Sequence, residues 1–240
     1  MLTAGMMLIA SQLSAGEWTA KRITARQCQS ATNSWYNFRR EITLNEVPDV
    51  AIARIACDSK YWMWVNGKMA VFEGQLKRGP TPRDTYYDEV DIAPYLRKGG
   101  NTIALLVWYF GKHGFSHFSS GQAGLVFQCD AIKLISDGNW KARLDPGYES
   151  TSGPHPNYRL PESNIRYDAR EGSFDWIKPG NEVTFRNARE IGKADSQPWN
   201  NLIQRPIPHW QDYGERRYEN DAEIPDYGTG DWIICELPYN

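Results

Sequence analysis

The chain has 240 residues, of which 27 are Lys or Arg and 29 are Asp or Glu, for a net charge of −2. A balance this close to neutral, with no run of Lys and Arg longer than two, excludes the electrostatic footprint of a nucleic-acid binder, and no stretch approaches the roughly 20 apolar residues that a membrane-spanning helix needs. The 10 tryptophans and 13 tyrosines beside 20 glycines and 14 prolines favour many short strands joined by turns over long helices.

The N-terminus, "MLTAGMMLIASQLSAGEW", has a short apolar stretch from Met6 to Ala10 followed by the small residues Ser14, Ala15 and Gly16. A basic n-region is missing, since the first positive charge is Lys21, so residues 1–16 read either as a secretory-signal remnant or as a plain leader. A periplasmic or secreted location is the expectation. From Trp35 the chain reads as strand after strand: "WYNFRREITL", "DVAIARIACD", "YWMWVNG", "KMAVFEG", "TYYDEVDI", "NTIALLVWYF", "AGLVFQCD" and "AIKLISDG". Asn66-Gly67 is a strong hairpin signal, because both residues tolerate the positive φ of a type I′ turn. On the strand before it, Tyr61, Met63 and Val65 share one face and Trp62 and Trp64 the other, so neither face is polar. In "APYLRKGG", Asp91 caps a single helical turn before Gly99-Gly100 resets the chain. The expected fold is all-β, an antiparallel β-sandwich or jelly roll over residues 17–140.

After Asn139 the character changes. Residues 141–230 are rich in turn formers and read as an irregular C-terminal lobe packed on or extending the sandwich. Within it "VTFRNARE" resumes alternation, and the X-Pro steps of "RPIPHW" favour extended chain. Residues 231–240, "WIICELPYN" at their heart, read as an apolar strand beginning a further β domain, so the chain is expected to be the front part of a longer polypeptide. The four cysteines, Cys28, Cys57, Cys129 and Cys235, have neither C-x-x-C nor metal-like spacing and are expected to be mostly free and buried.

Candidate chemistry is sparse. Trp62 and Trp64 either fill a space against a neighbouring layer or form a platform for the C–H face of a pyranose. Such a platform, burying about 60 Å² of sugar at ~25 cal/mol/Å², supplies roughly 1.5 kcal/mol, so hydrogen bonds to hydroxyls must add the rest. Arg83, Asp84, Tyr86 and Tyr87, in and after a Pro-rich loop, have the groups to grip vicinal hydroxyls, although Arg83 and Asp84 are equally a surface ion pair. Trp108 stands near a loop with His113, Phe115, His117 and Phe118 that could border a pocket. The glycines around the two histidines oppose a zinc-binding helix. Asp88, Glu89 and Asp91 form the densest acid cluster, but adjacent strand residues point to opposite faces and cannot flank one glycosidic bond. Asp88 and Glu89 are read as solvated strand edges. No cofactor is expected; calcium at an oxygen-bearing loop such as that of Asp58 is the one cation worth naming, without a loop motif behind it.

Together "FRREITL", "ACDSKYWMWVNGK", "YYDEVDIAPYLRKGGNTIALLVWYFG", "NYRLPESNIRYDAR" and "RPIPHWQDYG" resemble the N-terminal β-sandwich region of bacterial α-L-rhamnosidase-like glycoside hydrolases, from about Trp35 to the end. The hairpin and the D-I-x-P-Y-L segment also resemble galactose-binding-like jelly rolls of β-galactosidase-type enzymes. The first resemblance implies an accessory domain whose parent enzyme hydrolyses with acids on an (α/α)6 barrel farther along the chain. Those acids have no positions here to land on, so no catalytic residue is assigned. The partners it implies are a rhamnose- or galactose-containing glycan, met by Trp62, Trp64, Arg83, Asp84, Tyr86, Tyr87 and Trp108, and the catalytic domain itself. A free-standing lectin-like module, and a self-contained hydrolase using carboxylates between Asp84 and Asp91, are the rival expectations.

Overall fold

A computed structural model describes residues 17–114, 116–149, 165–181, 184–210, 217–224 and 234–236. The leader, Phe115, the "NYRLPESN" half of one resemblance motif and most of "WIICELPYN" lie outside them. The chain divides into two compact units, Met1–His209 and Trp210–Asn240.

The first unit is an antiparallel β-sandwich, as the sequence leads one to expect. Its strands are β1 (Lys21–Thr24), β2 (Ser34–Leu44), β3 (Ile52–Asp58), β4 (Lys60–Val65), β5 (Lys68–Val71), β6 (Thr85–Asp91), β7 (Gly99–Tyr109), β8 (Gly124–Cys129), β9 (Leu134–Ile135), β10 (Lys141–Leu144), β11 (Arg186–Asn187), β12 (Arg189–Lys193) and β13 (Leu202–Gln204). One sheet runs β12-β1-β8-β3-β6-β13 with β9 beside β8, and the other β11-β10-β2-β7-β4-β5. Only the β13–β6 pair among these is parallel. The β4–β5 hairpin turns at Asn66 (φ 53°) and Gly67 (φ 79°), the two left-handed positions that a type I′ turn requires. Asn66 also fastens the turn to the connection that leads from β6 into β7, donating to the Tyr95 carbonyl and accepting from the Thr102 N–H at 2.9 Å.

Alternation sorts the apolar residues into layers. Tyr61, Met63 and Val65 of β4, Ile103, Leu105 and Val107 of β7, and Ile55 and Cys57 of β3 meet between the sheets. The opposite face of β4 and β7 carries Trp64, Ala104, Leu106 and Trp108, and it is covered from outside by Trp176, Ile177 and Phe185. This explains why "NTIALLVWYF" is apolar throughout: β7 is buried on both sides. On the other sheet, Ala56, Tyr87 and Val126 lie under Trp199 and Ala194, with Trp18 and Leu202 packed against them. The free cysteines Cys57 and Cys129 are buried, Cys28 is half-buried and Cys235 exposed.

The stretch after residue 140 contributes strands to both sheets. β10 and β11 extend one sheet, and β12 and β13 form the two edges of the other. These are strands of two to five residues held by neighbours distant in sequence; the alternation of "VTFRNARE" falls on β11 and the start of β12, while β10 and β13 are too short to show a period. The N-cap of the single 3-10 turn at Ala93–Tyr95 is Ile92, without a side-chain cap; Asp91 stands one residue before it and accepts from the Ala93 N–H at 3.0 Å.

In the second unit, Asn220 joins two segments, donating to the Ile234 carbonyl and accepting from the Glu236 N–H. A 3-10 turn at Asp221–Glu223 and an Arg217–Asp221 ion pair at 3.0 Å accompany it.

Candidate functional site

Strand alternation sends Trp35 of β2, Trp62 and Trp64 of β4 and Trp108 of β7 to one outer face, where they form an aromatic stack. Trp35 lies nearly parallel to Trp108 (centroids 4.5 Å), to Tyr148 (4.0 Å) and, at 26°, to Trp62 (5.6 Å). Trp64 meets Trp176 and Phe174 at 6.0 Å each. Most of this surface is closed to solvent by the protein itself. Trp108 is 1% and Trp64 7% exposed, and the Trp108 indole N–H is bonded to the Asn33 side chain at 2.7 Å. Trp62 is half-buried and remains reachable.

Tyr86 and Tyr87 lie on β6 of the other sheet and Arg83 and Asp84 in the loop just before it, so the seven candidate residues fall into two groups rather than one site. Tyr87 is buried on the outer face beneath Trp18, edge-on at 5.2 Å. Asp84 is turned inward: its carboxylate accepts from the Thr81 hydroxyl (2.7 Å) and the Asn201 amide (3.0 Å). Arg83 is exposed and Tyr86 half-buried. Asp88, read as a solvated strand edge, is in fact buried. Alternation along β6 points it between the sheets, where it accepts from the Tyr61 hydroxyl (2.8 Å), the Gln75 N–H (2.7 Å) and Arg205 Nε. Gly74 stands where it does because a Cβ there would come within 2.1 Å of the Tyr61 ring.

The histidines do not form a pair. His117 is buried edge-on against Phe110 at 4.6 Å and hydrogen-bonded to the Lys112 carbonyl, whereas His113 leans on Phe118. Among the described residues there is no cluster of three or more groups able to hold a metal. Asp58 is fully engaged by the protein, accepting from Ser59, from the Ser119 hydroxyl, and from both the N–H (2.6 Å) and hydroxyl (2.7 Å) of Ser120. Burial pushes its carboxyl above the ordinary range, against the pull of those donors. A carboxyl that holds its proton more tightly when folded favours the folded state below its unfolded pKa, and that contribution is lost as pH rises through the raised value. Asp58→Asn keeps the shape, and its amide can donate to the Ser59 hydroxyl. In urea melts from pH 4 to pH 8, the variant is expected to gain stability relative to the natural chain as pH rises. A constant or shrinking difference would contradict the buried-acid assignment.

Three grooves, of about 560, 350 and 480 Å³, open around Gly180 on the aromatic sheet. Arg39, Arg40 and Lys141 line the first, Arg97 joins at the second, and Arg143 at the third, beside Trp176. Arg39 is buried, its guanidinium donating to the Trp176 carbonyl (2.6 Å) and to Glu41, and Arg143 lies 4.3 Å over the Phe185 ring. Burial lowers the Arg143 pKa, and Asp145 opposes that shift. Near these side chains, among the described residues, both amide atoms of Asn37, the indole N–H groups of Trp35 and Trp176, and Arg143 Nε are buried without a hydrogen-bond partner. Sequence reasoning missed these cations because it looked for runs. The legible signal was the i, i+2 spacing of Lys141 and Arg143 on a strand, which puts both on one face.

Among solved structures, the chain is similar to the GH78 family rhamnosidase of Bacillus sp. GL1, with a TM-score of 0.68 and 31% identity over 80% of this chain and 20% of that one. The α-L-rhamnosidase of Dictyoglumus thermophilum (TM-score 0.58, 19% identity, 80% of this chain and 22% of that) shares the fold. So does that of Aspergillus terreus (TM-score 0.58, 19% identity, 78% of this chain and 22% of that). The chain therefore spans about a fifth of the length of the rhamnosidases it matches. No protein-family profile and no curated protein matches it.

Proposed function

We propose, on the premise of this likeness to part of a GH78 rhamnosidase, that the chain is a noncatalytic N-terminal β-sandwich region of an α-L-rhamnosidase-like glycoside hydrolase. It positions the catalytic region and contacts glycan weakly from its outer surface. The observation that carries the reading is the 31% identity and common fold over four-fifths of this chain, against only a fifth of the enzyme. The state of the acids supports it. Asp88 and Asp84 are committed to internal hydrogen bonds, Asp91 to the Ala51 and Ala93 N–H groups, and Glu89 to the Gln204 amide. A carboxylate bonded in this way is not poised to protonate a glycosidic oxygen.

Two measurements test the proposal together. Purified chain is expected to release no dye from an aryl α-L-rhamnoside. Exchanged for the matching fifth of the Bacillus sp. GL1 enzyme, it is expected to preserve that enzyme's activity and thermal midpoint, while deletion of the fifth abolishes soluble enzyme. Dye release by the chain alone, or a deletion without effect, would overturn the reading.

A further inference from the structure

Overall the chain carries slightly more acid than base, yet the two adjoining grooves that share Glu41 and Gly180 gather Arg39, Arg40, Lys141 and Arg97. Glu41 is the one carboxylate among their described lining residues, and Arg39 already holds it. The other three cations are held by neutral acceptors: Arg40 by the Asn139 carbonyl (2.8 Å), Lys141 by the Asn187 side-chain oxygen (2.6 Å) and Arg97 by the Gly100 carbonyl (2.9 Å). Each is thus oriented without a carboxylate partner among the described residues. Moreover, Lys141 lies directly across from Arg39 in the β10–β2 register. Like charges opposite one another on neighbouring strands destabilise a sheet, so sheet stability does not account for this pairing. Arg40 Nε adds a buried donor with no partner among the described residues.

Fixed donors with uncompensated positive charge, in grooves within the size range of ligand sites, are preorganised for an anion. We infer that these grooves bind an anionic glycan, one whose sugar units bear a carboxylate or a sulfate ester. That the anion rides on a glycan rests on the function proposed above; that it is an anion rests on the side chains alone.

The test is calorimetric titration of the full chain with an oligogalacturonate, a sulfated galactan oligosaccharide and a neutral galactan oligosaccharide of equal length. At least one anionic oligosaccharide is expected to bind about tenfold tighter than the neutral one, and to weaken several-fold as salt rises from about 20 to 150 mM. The pair Arg97→Gln and Lys141→Gln, both exposed, should remove that preference without lowering the thermal midpoint. Binding of the carboxylated ligand alone assigns a uronate, and of the sulfated ligand alone a sulfate ester. Equal affinity for the neutral ligand, no binding of either anion, an unaffected double variant, or equal binding of a DNA oligonucleotide would overturn the inference. None of these outcomes bears on the chimera experiment, so failure here and failure of the proposed function are separable.

Discussion

Asp88→Ala is expected to destabilise the protein by about 3–5 kcal/mol, because it leaves a largely desolvated cation without its counter-charge. Asp88 is 2% exposed, and the side chain of its partner Arg205 is 13% exposed. The carboxylate is the point at which four segments are tied. It sits on β6 in one sheet, accepts from Tyr61 of β4 in the other, holds the Gln75 N–H in the loop after β5, and pairs with Arg205 just past β13. Burial and the carboxylate beside it raise the Tyr61 phenol well above its ordinary pKa, which keeps it a neutral donor. Arg205 in turn contacts His209 at 3.1 Å, so the same ion pair anchors the chain where the sandwich ends. The measurement is the urea midpoint at unchanged m-value, with a double-mutant cycle using Arg205→Met. Strong coupling is expected, and a single-variant loss below about 1 kcal/mol, the level of an exposed ion pair, would show the site to be wet.

The second large effect separates structure from binding on the aromatic sheet. Trp108→Ala should cost about 3–5 kcal/mol, the usual penalty for emptying a buried tryptophan site. At about 2–4 °C per kcal/mol for a chain of this size, the melting midpoint should fall by roughly 10 °C. The variant loses stacking on Trp35 at 4.5 Å, the edge contact with Phe110 at 4.7 Å and the hydrogen bond that the indole N–H donates to the Asn33 side-chain oxygen. Trp62→Ala, at a half-exposed site, should cost about 1–2 kcal/mol and is the substitution able to affect a glycan contact. A Trp108→Ala protein melting within about 2 °C of the natural chain would mean that this face is open.

How much of this was legible in advance can be judged residue by residue. Turn chemistry and period-two patterning are local, and they placed β2 to β8, the Asn66-Gly67 hairpin and the Asp91 turn. The family resemblance was also legible, since "FRREITL" and "YYDEVDIAPYLRKGGNTIALLVWYFG" lie within the first unit, and solved rhamnosidases share its fold. β1, β10 and β13 were not legible, because strands of three or four residues carry too few positions for a period to emerge, whereas the alternation of "VTFRNARE" announced β11 and the start of β12.

The site was harder still. By itself the sequence determined that Trp62 and Trp64 share a face, that Met63 and Val65 share the other, and that Asp88 and Glu89 diverge, since all of these follow from the geometry of a single strand. Only the tertiary structure decided what each face meets. Trp176 and Phe185 lie more than 100 residues beyond Trp64 in the chain, yet they close over its face. Arg205 arrives from the far end to meet Asp88, and Lys141 is brought opposite Arg39 by a strand pairing that no local pattern announces. Burial and charge compensation are properties of neighbours in space, and a strand's own residues specify direction without specifying the neighbour.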